Sequence, residues 1–191
     1  MELVPGRECG GCTICCSELH IDDPDLQKLA GVRCPNCMAD SNCAIYDRRP
    51  KVCREFHCIW RMTGALDDDW RPDKSAILLM PKTTDIPPAY RGKDGVQLVI
   101  LRQSAIYRQE LHGLLAGLVS ARTPLFLVVP TPPGFLPMNM FLNPSLEDPV
   151  RRQDGDGLVR ALEAAIRTMA RQQPAPMVFR NVPAADPVSE L

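Results

Sequence analysis

Hydrophobic positions are spread unevenly along this chain, and the pattern changes near residue 70. Beyond it, Ser75 to Met80, Val96 to Leu101 and Leu125 to Val129 are near-continuous apolar runs of strand length, the last ended by Pro130. Runs of this kind predict strands buried on both faces. Between the second and third, Tyr107, Leu111, Leu114, Leu115 and Leu118 share one helical face behind a possible Ser104 cap. Leu158, Leu162, Ile166 and Met169 repeat the helical period later, with Asp156 placed to cap them. The prolines of 130–150 predict a long irregular connection. Pro174, Pro176, Pro183 and Pro187 predict an extended or disordered tail over 173–191. Residues 71–172 therefore read as a small α/β region of about three strands and two main helices.

Residues 1–70 are too poor in apolar side chains to build a core of their own. Two short helices are predicted there. Asp22 or Asp23 caps one, with Pro24 at its first position, Leu26 and Leu29 inward and Gly31 as the stop. Pro50 opens a second through Val52, Cys53 and Phe56. A segment of this size needs staples or a metal to hold its shape. The fold class expected for the whole is α+β, with a small metal-stabilised cysteine-rich segment packed on the α/β body.

Composition supplies the staple. The chain has nine cysteines, all within the 50 residues from Cys9 to Cys58. A disulfide framework would spread through the fold behind a signal peptide, whereas the N-terminus, Met-Glu-Leu-Val-Pro-Gly, has neither a basic nor an apolar region. No apolar run approaches the ~18 residues of a membrane span. These features predict a cytoplasmic protein with reduced thiols and no membrane association. Lys plus Arg number 22 against 23 acidic residues, a formal charge of −1 that gives no case for DNA or RNA binding.

Spacing then narrows the chemistry. Cys9-Gly-Gly-Cys12-Thr-Ile-Cys15-Cys16 is C-x2-C-x2-C-C, and the x2 spacing lets a tight turn bring two thiolates onto one ion. Gly10 and Gly11 suit such a turn. Cys34-Pro35-Asn36-Cys37, Cys43, Cys53 and Cys58 follow. Neighbouring side chains diverge, so Cys15 and Cys16 do not readily serve one tetrahedral ion. Two sites, or a redox or supporting role for one thiol, are the alternatives. Eight cysteines satisfy two four-thiolate sites and leave the ninth surplus. Soft ligands select zinc, iron–sulfur or copper(I). Successive x2 spacings fit a ferredoxin-like run, and paired C-x2-C units fit zinc knuckles equally. Arg48, Arg49, Lys51, Arg54 and Arg61, against Asp47 and Glu55, would offset the negative charge of either kind of site.

The run Cys43-Ala-Ile-Tyr46-Asp-Arg-Arg49-Pro50-Lys-Val-Cys53-Arg54-Glu-Phe56-His-Cys58, with C-x2-C-x2-C-C and Cys34-Pro35 before it, resembles the YkgJ-type cysteine-cluster family. That family is described as a zinc- or iron-chelating domain. The resemblance covers about residues 8–60. It implies a ligand set of Cys9, Cys12, Cys15, Cys16, Cys34, Cys43, Cys53 and Cys58. Cys37 departs from the pattern and stands as a possible accessory ligand. Arg49-Pro50 is expected to fix the start of the helix carrying Cys53, Tyr46 and Phe56 to pack around the site, and Arg54 to pair with a sulfur or a carboxylate.

Three functional classes follow. The first is a metal-binding protein holding an iron–sulfur cluster or Zn2+ through eight cysteines. The second is an iron–sulfur-dependent redox or group-transfer enzyme, and the third a metal-trafficking or interaction module. Nothing in residues 75–191 forms a nucleotide loop, a Ser/His/Asp set or a carboxylate pair. Gly113 and Gly117 are expected to mark close helix packing, His112 a structural histidine, and Asp67, Asp68 and Asp69 a solvated turn.

Overall fold

The computed structural model describes residues 3–39 and 42–179. The cysteine-rich segment contains α1 (Ile14–Glu18), a hairpin of β1 (Ile21–Asp23) and β2 (Leu26–Lys28), α2 (Lys51–Glu55) and α3 (Ile59–Met62). The helix expected behind Asp22 or Asp23 is thus a β-hairpin, with Ile21 opposite Lys28 and Asp23 opposite Leu26. The reason is local. Asp23 does not cap a helix; its carboxylate accepts the Asp25 N–H at 3.0 Å, which closes a turn across Pro24. Gly31 lies past β2 with φ +72°, a left-handed conformation suited to glycine.

The body begins with α4 (Pro72–Ser75) and continues through β3 (Ile77–Lys82), β4 (Gly95–Ile100), α5 (Gln109–Ser120), β5 (Leu125–Val129), β6 (Met138–Phe141), α6 (Asn143–Arg151) and α7 (Gly155–Ala170). The molecule is a mixed α+β protein. Strands β3 to β6 form one sheet in sequence order. β3 and β4 are antiparallel with Ile77 opposite Ile100, and β5 and β6 antiparallel with Phe126 opposite Phe141. The central pair, β4 and β5, is parallel with Val96 opposite Leu125, so the chain must cross over through α5. The first strand starts two residues later than its apolar run. Ser75 belongs to α4, and Ala76 ends that helix in a left-handed conformation at φ 58°.

Both faces of the sheet are covered, which is why the strands read as runs and not as alternations. On one face Ile77, Leu79, Leu98, Ile100, Leu125 and Leu127 pack against α5 through Leu111 and Leu115 and against α7 through Leu158, Leu162 and Met169. Trp60, Leu66 and Trp70 join this same core from the cysteine-rich side. On the other face Leu78, Val99 and Val128 are covered by Ile14 and Leu19, with Cys58 against them. Full burial of each such aliphatic side chain is worth about 1.5–3 kcal/mol, so this face anchors the cysteine-rich segment.

Residues 130–150 are more ordered than their prolines predict, because they contain β6 and α6. Pro144 falls in the first turn of α6, where its missing N–H costs nothing, and Pro149 lies inside the helix. Buried Leu142 and Leu146 hold the element to the core. Helix α7 is capped by Asp154 and not by Asp156: the Asp154 carboxylate accepts the Gly157 N–H at 2.7 Å. Tyr107 precedes α5 in a 3-10 turn, exposed and bonded to Glu163 at 2.7 Å, so it does not share the buried face. A Cβ placed on Gly113 or Gly117 would meet nothing within 4 Å, so the expected close helix packing is absent there. His112 is structural, with Nε2 2.8 Å from the Ile106 carbonyl. Asp67 accepts the Asp69 N–H at 3.0 Å at the head of a 3-10 turn.

Past α7 the chain is extended and pinned. Leu136 donates to the Ala175 carbonyl and Met177 to that of Gly134, both at 2.8 Å. The Phe179 ring lies 5.2 Å from His20. The rest of the tail, 180–191, lies outside the described residues.

Candidate metal centre

The N-terminal thiols are set by a turn and a helix. Cys12 donates its N–H to the Cys9 carbonyl at 2.9 Å, and Gly10 takes φ +51° inside that turn. Helix α1 then carries Cys15 and Cys16 on adjacent positions. Arg7 fixes the approach. Its guanidinium donates to the carbonyls of Trp60 at 2.6 Å, Thr63 at 2.7 Å and Leu66, and lies 5.2 Å from the Trp60 ring centre. Val4 donates to the Arg61 carbonyl at 2.9 Å, and Arg61 Nε returns a bond to the Arg7 carbonyl at 3.1 Å. Arg61 Nη1 ends 3.9 Å from Cys9 Sγ. Cys58, which caps α3, shares this corner.

The remaining thiols come from loops folded around α1. Cys34 donates its N–H to the Cys16 carbonyl at 2.9 Å. Cys53 sits in α2, whose first N–H groups, from Cys53 and Arg54, reach the Pro50 carbonyl at 3.0 and 3.2 Å. Pro50 thus starts that helix as expected, one position earlier, as its N-cap. Arg49 lies 3.7 Å above the Tyr46 ring and donates to the Tyr46 carbonyl at 2.8 Å. Arg54 donates to the Arg49 carbonyl, so the expected partner, a sulfur or carboxylate, is replaced by backbone. Buried Lys28 ties three backbone carbonyls together, those of Ser17 in α1 and Leu29 at 3.0 Å and of Val32 at 2.6 Å.

These elements enclose a cavity of about 370 Å³ between the segment and the sheet. Eight cysteines line it: Cys9, Cys12, Cys15, Cys16, Cys34, Cys43, Cys53 and Cys58. Tyr46 and Phe56 line it too, the former half exposed at 45%. Cys37 is not among the lining residues.

The charges that act on the shifted thiols sort them into two corners, Cys12 and Cys58 with Cys9 in one and Cys53 with Cys16, Cys34 and Cys43 in the other. Burial pushes the Cys12 thiol up to about 11, with Asp73 and Cys9 adding to the rise. Burial also raises Cys58, and Cys9 contributes while Arg61 opposes. In the other corner burial raises Cys53, reinforced by Cys16, Cys34 and Cys43 and opposed by Arg49. The corners meet at the neighbouring pair. Its hydrogen bond holds Cys15 far above the ordinary thiol value, with burial and the charges of Cys16, Cys9 and Cys12 adding. That same bond draws Cys16 well down, helped by Lys28, Arg49 and Arg33 against its burial.

Among the described residues, no group of three or more His, Cys, Asp or Glu side chains is arranged to hold a metal ion. The donor set nevertheless suits a soft metal, because thiols line the cavity and cations flank both corners. One polar atom there also lacks a partner: His57 Nδ1, on a cavity-lining residue, is buried without a hydrogen bond. Holding an ion would require the thiols to lose their protons and draw together.

Lys28, Arg7 and His57 escaped the sequence reading. Arg7 acts through backbone carbonyls 53 to 59 residues along the chain and Lys28 through carbonyls 1 to 11 residues away, and neither arrangement leaves a motif. His57 had one available signal, its place between Phe56 and Cys58 inside the motif. Among the described residues no helix is long and apolar enough to cross a membrane. No family model matches this chain, and no curated protein or solved structure matches it either.

Proposed function

We propose that this chain is a thiolate metal-binding protein with two four-cysteine sites. Cys9, Cys12, Cys15 and Cys58 form the first, and Cys16, Cys34, Cys43 and Cys53 the second. One observation carries the reading: eight of nine cysteines line a single cavity and fall into two corners that meet at Cys15 and Cys16. Adjacent positions on α1 direct their side chains apart, which favours giving Cys15 and Cys16 to different sites. Each site, as Zn2+ or as a [4Fe–4S] cluster with four thiolates, is anionic. Arg61 offsets the first, while Lys28, Arg33 and Arg49 offset the second. The resemblance to the YkgJ-type family supports the same eight ligands.

The test is anaerobic purification with elemental analysis, acid-labile sulfide and a visible spectrum. About two zinc ions in a colourless protein, or about eight irons with matching sulfide in a brown one, are the expected results. The brown form brings electron transfer within reach of the site, and the colourless form removes redox chemistry at the metal. Cys12→Ser and Cys53→Ser are each expected to lose about half the metal, because each strips one ligand from a different site. A protein that binds neither metal, or whose metal content survives both substitutions, overturns the proposal.

A further inference from the structure

The ninth cysteine faces one of the eight across a short hairpin. Cys37 and Cys43 are direct antiparallel partners. The Met38 N–H donates to the Asn42 carbonyl at 2.8 Å and the Ala44 N–H to the Asn36 carbonyl at 2.9 Å. Those bonds flank the pair and do not join it, so Cys37 and Cys43 occupy a non-hydrogen-bonded register. In that register the Cα atoms are about 4.5 Å apart and the side chains are on one face, with Cβ atoms about 4.5–5.5 Å apart. A disulfide spans Cα separations of about 4.4–6.8 Å and needs Cβ atoms about 3.8 Å apart. Closing the bond requires the side chains to approach by about 1 Å, within the give of a two-stranded ribbon. Both thiols are half-buried and free. Cys43 lines the cavity and Cys37 does not, so Cys37 can meet an outside reagent without first leaving a metal.

We propose that Cys37 and Cys43 form a cross-strand disulfide on exposure to a low-molecular-weight disulfide, and that this bond withdraws Cys43 from the second thiolate site. The second half rests on the function proposed above. The Cys37 thiolate attacks one sulfur of the reagent RSSR, forming Cys37–S–S–R and releasing the first RS group, which leaves with the Cys37 proton as RSH. Cys43 Sγ then attacks Cys37 Sγ, the S–S bond between Cys37 Sγ and the reagent sulfur breaks, and the second RS group leaves with the Cys43 proton as RSH. From free thiols the sum is two cysteine thiols plus RSSR giving one protein disulfide plus two RSH, a two-electron oxidation of the protein. Where Cys43 starts as a metal-bound thiolate, its sulfur–metal bond breaks and the second group leaves as RS−. The site is then left with Cys16, Cys34 and Cys53, three sulfurs in place of four.

The experiment treats the anaerobically purified protein with oxidised glutathione, blocks residual thiols with iodoacetamide and maps linkages without reduction. Cleavage at Arg33 and Arg48 and before Asp40 separates Cys43 from Cys34 and Cys37. The expected product is a cross-linked pair of peptides in which fragmentation finds Cys34 alkylated. Release of about half the metal to a colorimetric chelator should accompany it. Cys37→Ser should keep the starting metal content and melting temperature yet lose at least about tenfold in release rate. A bond between Cys34 and Cys37, a stable glutathione adduct on Cys37 with Cys43 alkylated, or equal release from Cys37→Ser overturns the proposal. If the bond forms in a protein that never held metal, the thiol pair stands and the metal-binding reading falls.

Discussion

Replacing Arg7 with alanine isolates the tie between the first thiols and the rest of the molecule. The guanidinium serves the carbonyls of Trp60, Thr63 and Leu66 and stacks on Trp60. A hydrogen bond from a charged donor is worth about 1.5–3 kcal/mol. Arg7 is only half-buried and its acceptors regain water on opening, so about 1 kcal/mol per bond is the fairer figure. Losing all three costs about 3 kcal/mol, and a tenfold change in population takes about 1.4 kcal/mol. Undocking of residues 3–12 should therefore become on the order of 100-fold more frequent. Hydrogen exchange reads this directly at the Val4 amide, which is bonded to the Arg61 carbonyl at 2.9 Å. That amide should exchange about 100-fold faster in Arg7→Ala while β5 keeps its protection. Arg7→Lys, a single ammonium in place of a fork, should fall between the two. A Val4 rate within about threefold of the parent, or equal acceleration in β5, would refute the reasoning.

Three other substitutions test the scaffold around the cavity. Lys28→Met leaves the carbonyls of Ser17, Leu29 and Val32 without their donor and should loosen the hairpin by about 2–3 kcal/mol, read as faster exchange of the Gly31 amide; unchanged exchange would contradict it. Asn143→Ala strips partners from the Leu125 N–H and the Thr123 carbonyl, now held at 2.7 and 2.9 Å, and should lower unfolding free energy in urea by about 2–4 kcal/mol. A loss below about 1 kcal/mol would mean that water replaces the side chain. Gly95→Ala sets a Cβ 2.8 Å from the Pro124 carbonyl oxygen at the start of β4, and should cost about 1–3 kcal/mol by the same urea assay; an unchanged midpoint would show that the β4–β5 edge yields freely.

The body was largely legible because its signals are local and redundant. Leu125 to Val129 became a strand with those bounds, and Leu158, Leu162 and Met169 point into the core as their period required. Two of the misses share a cause: a short polar group used its hydrogen bond one way when the pattern allowed two. Asp23 closes a turn where a helix cap was equally available, and Asp154 caps where Asp156 was the nearer candidate. Proline density hid α6, since a proline in a first helical turn and one in a loop look alike in sequence. At the candidate centre, adjacency argued for separating Cys15 from Cys16, and the family resemblance set Cys37 apart. Neither could show which corner each loop cysteine joins, because that depends on contacts such as the Cys34 bond to Cys16 and the Arg61 approach to Cys9.

The position of the cysteine-rich segment on the sheet sets a timetable for synthesis. Its landing face is built from Leu78, Val99 and Val128, and the last of these lies 70 residues after Cys58. At about 5–20 residues per second a ribosome needs about 4–14 s to cover that distance. For that interval the thiols are complete in sequence while their landing face is not, and they stay open to solvent. Any ion that needs the closed cavity enters after β5 has joined the sheet.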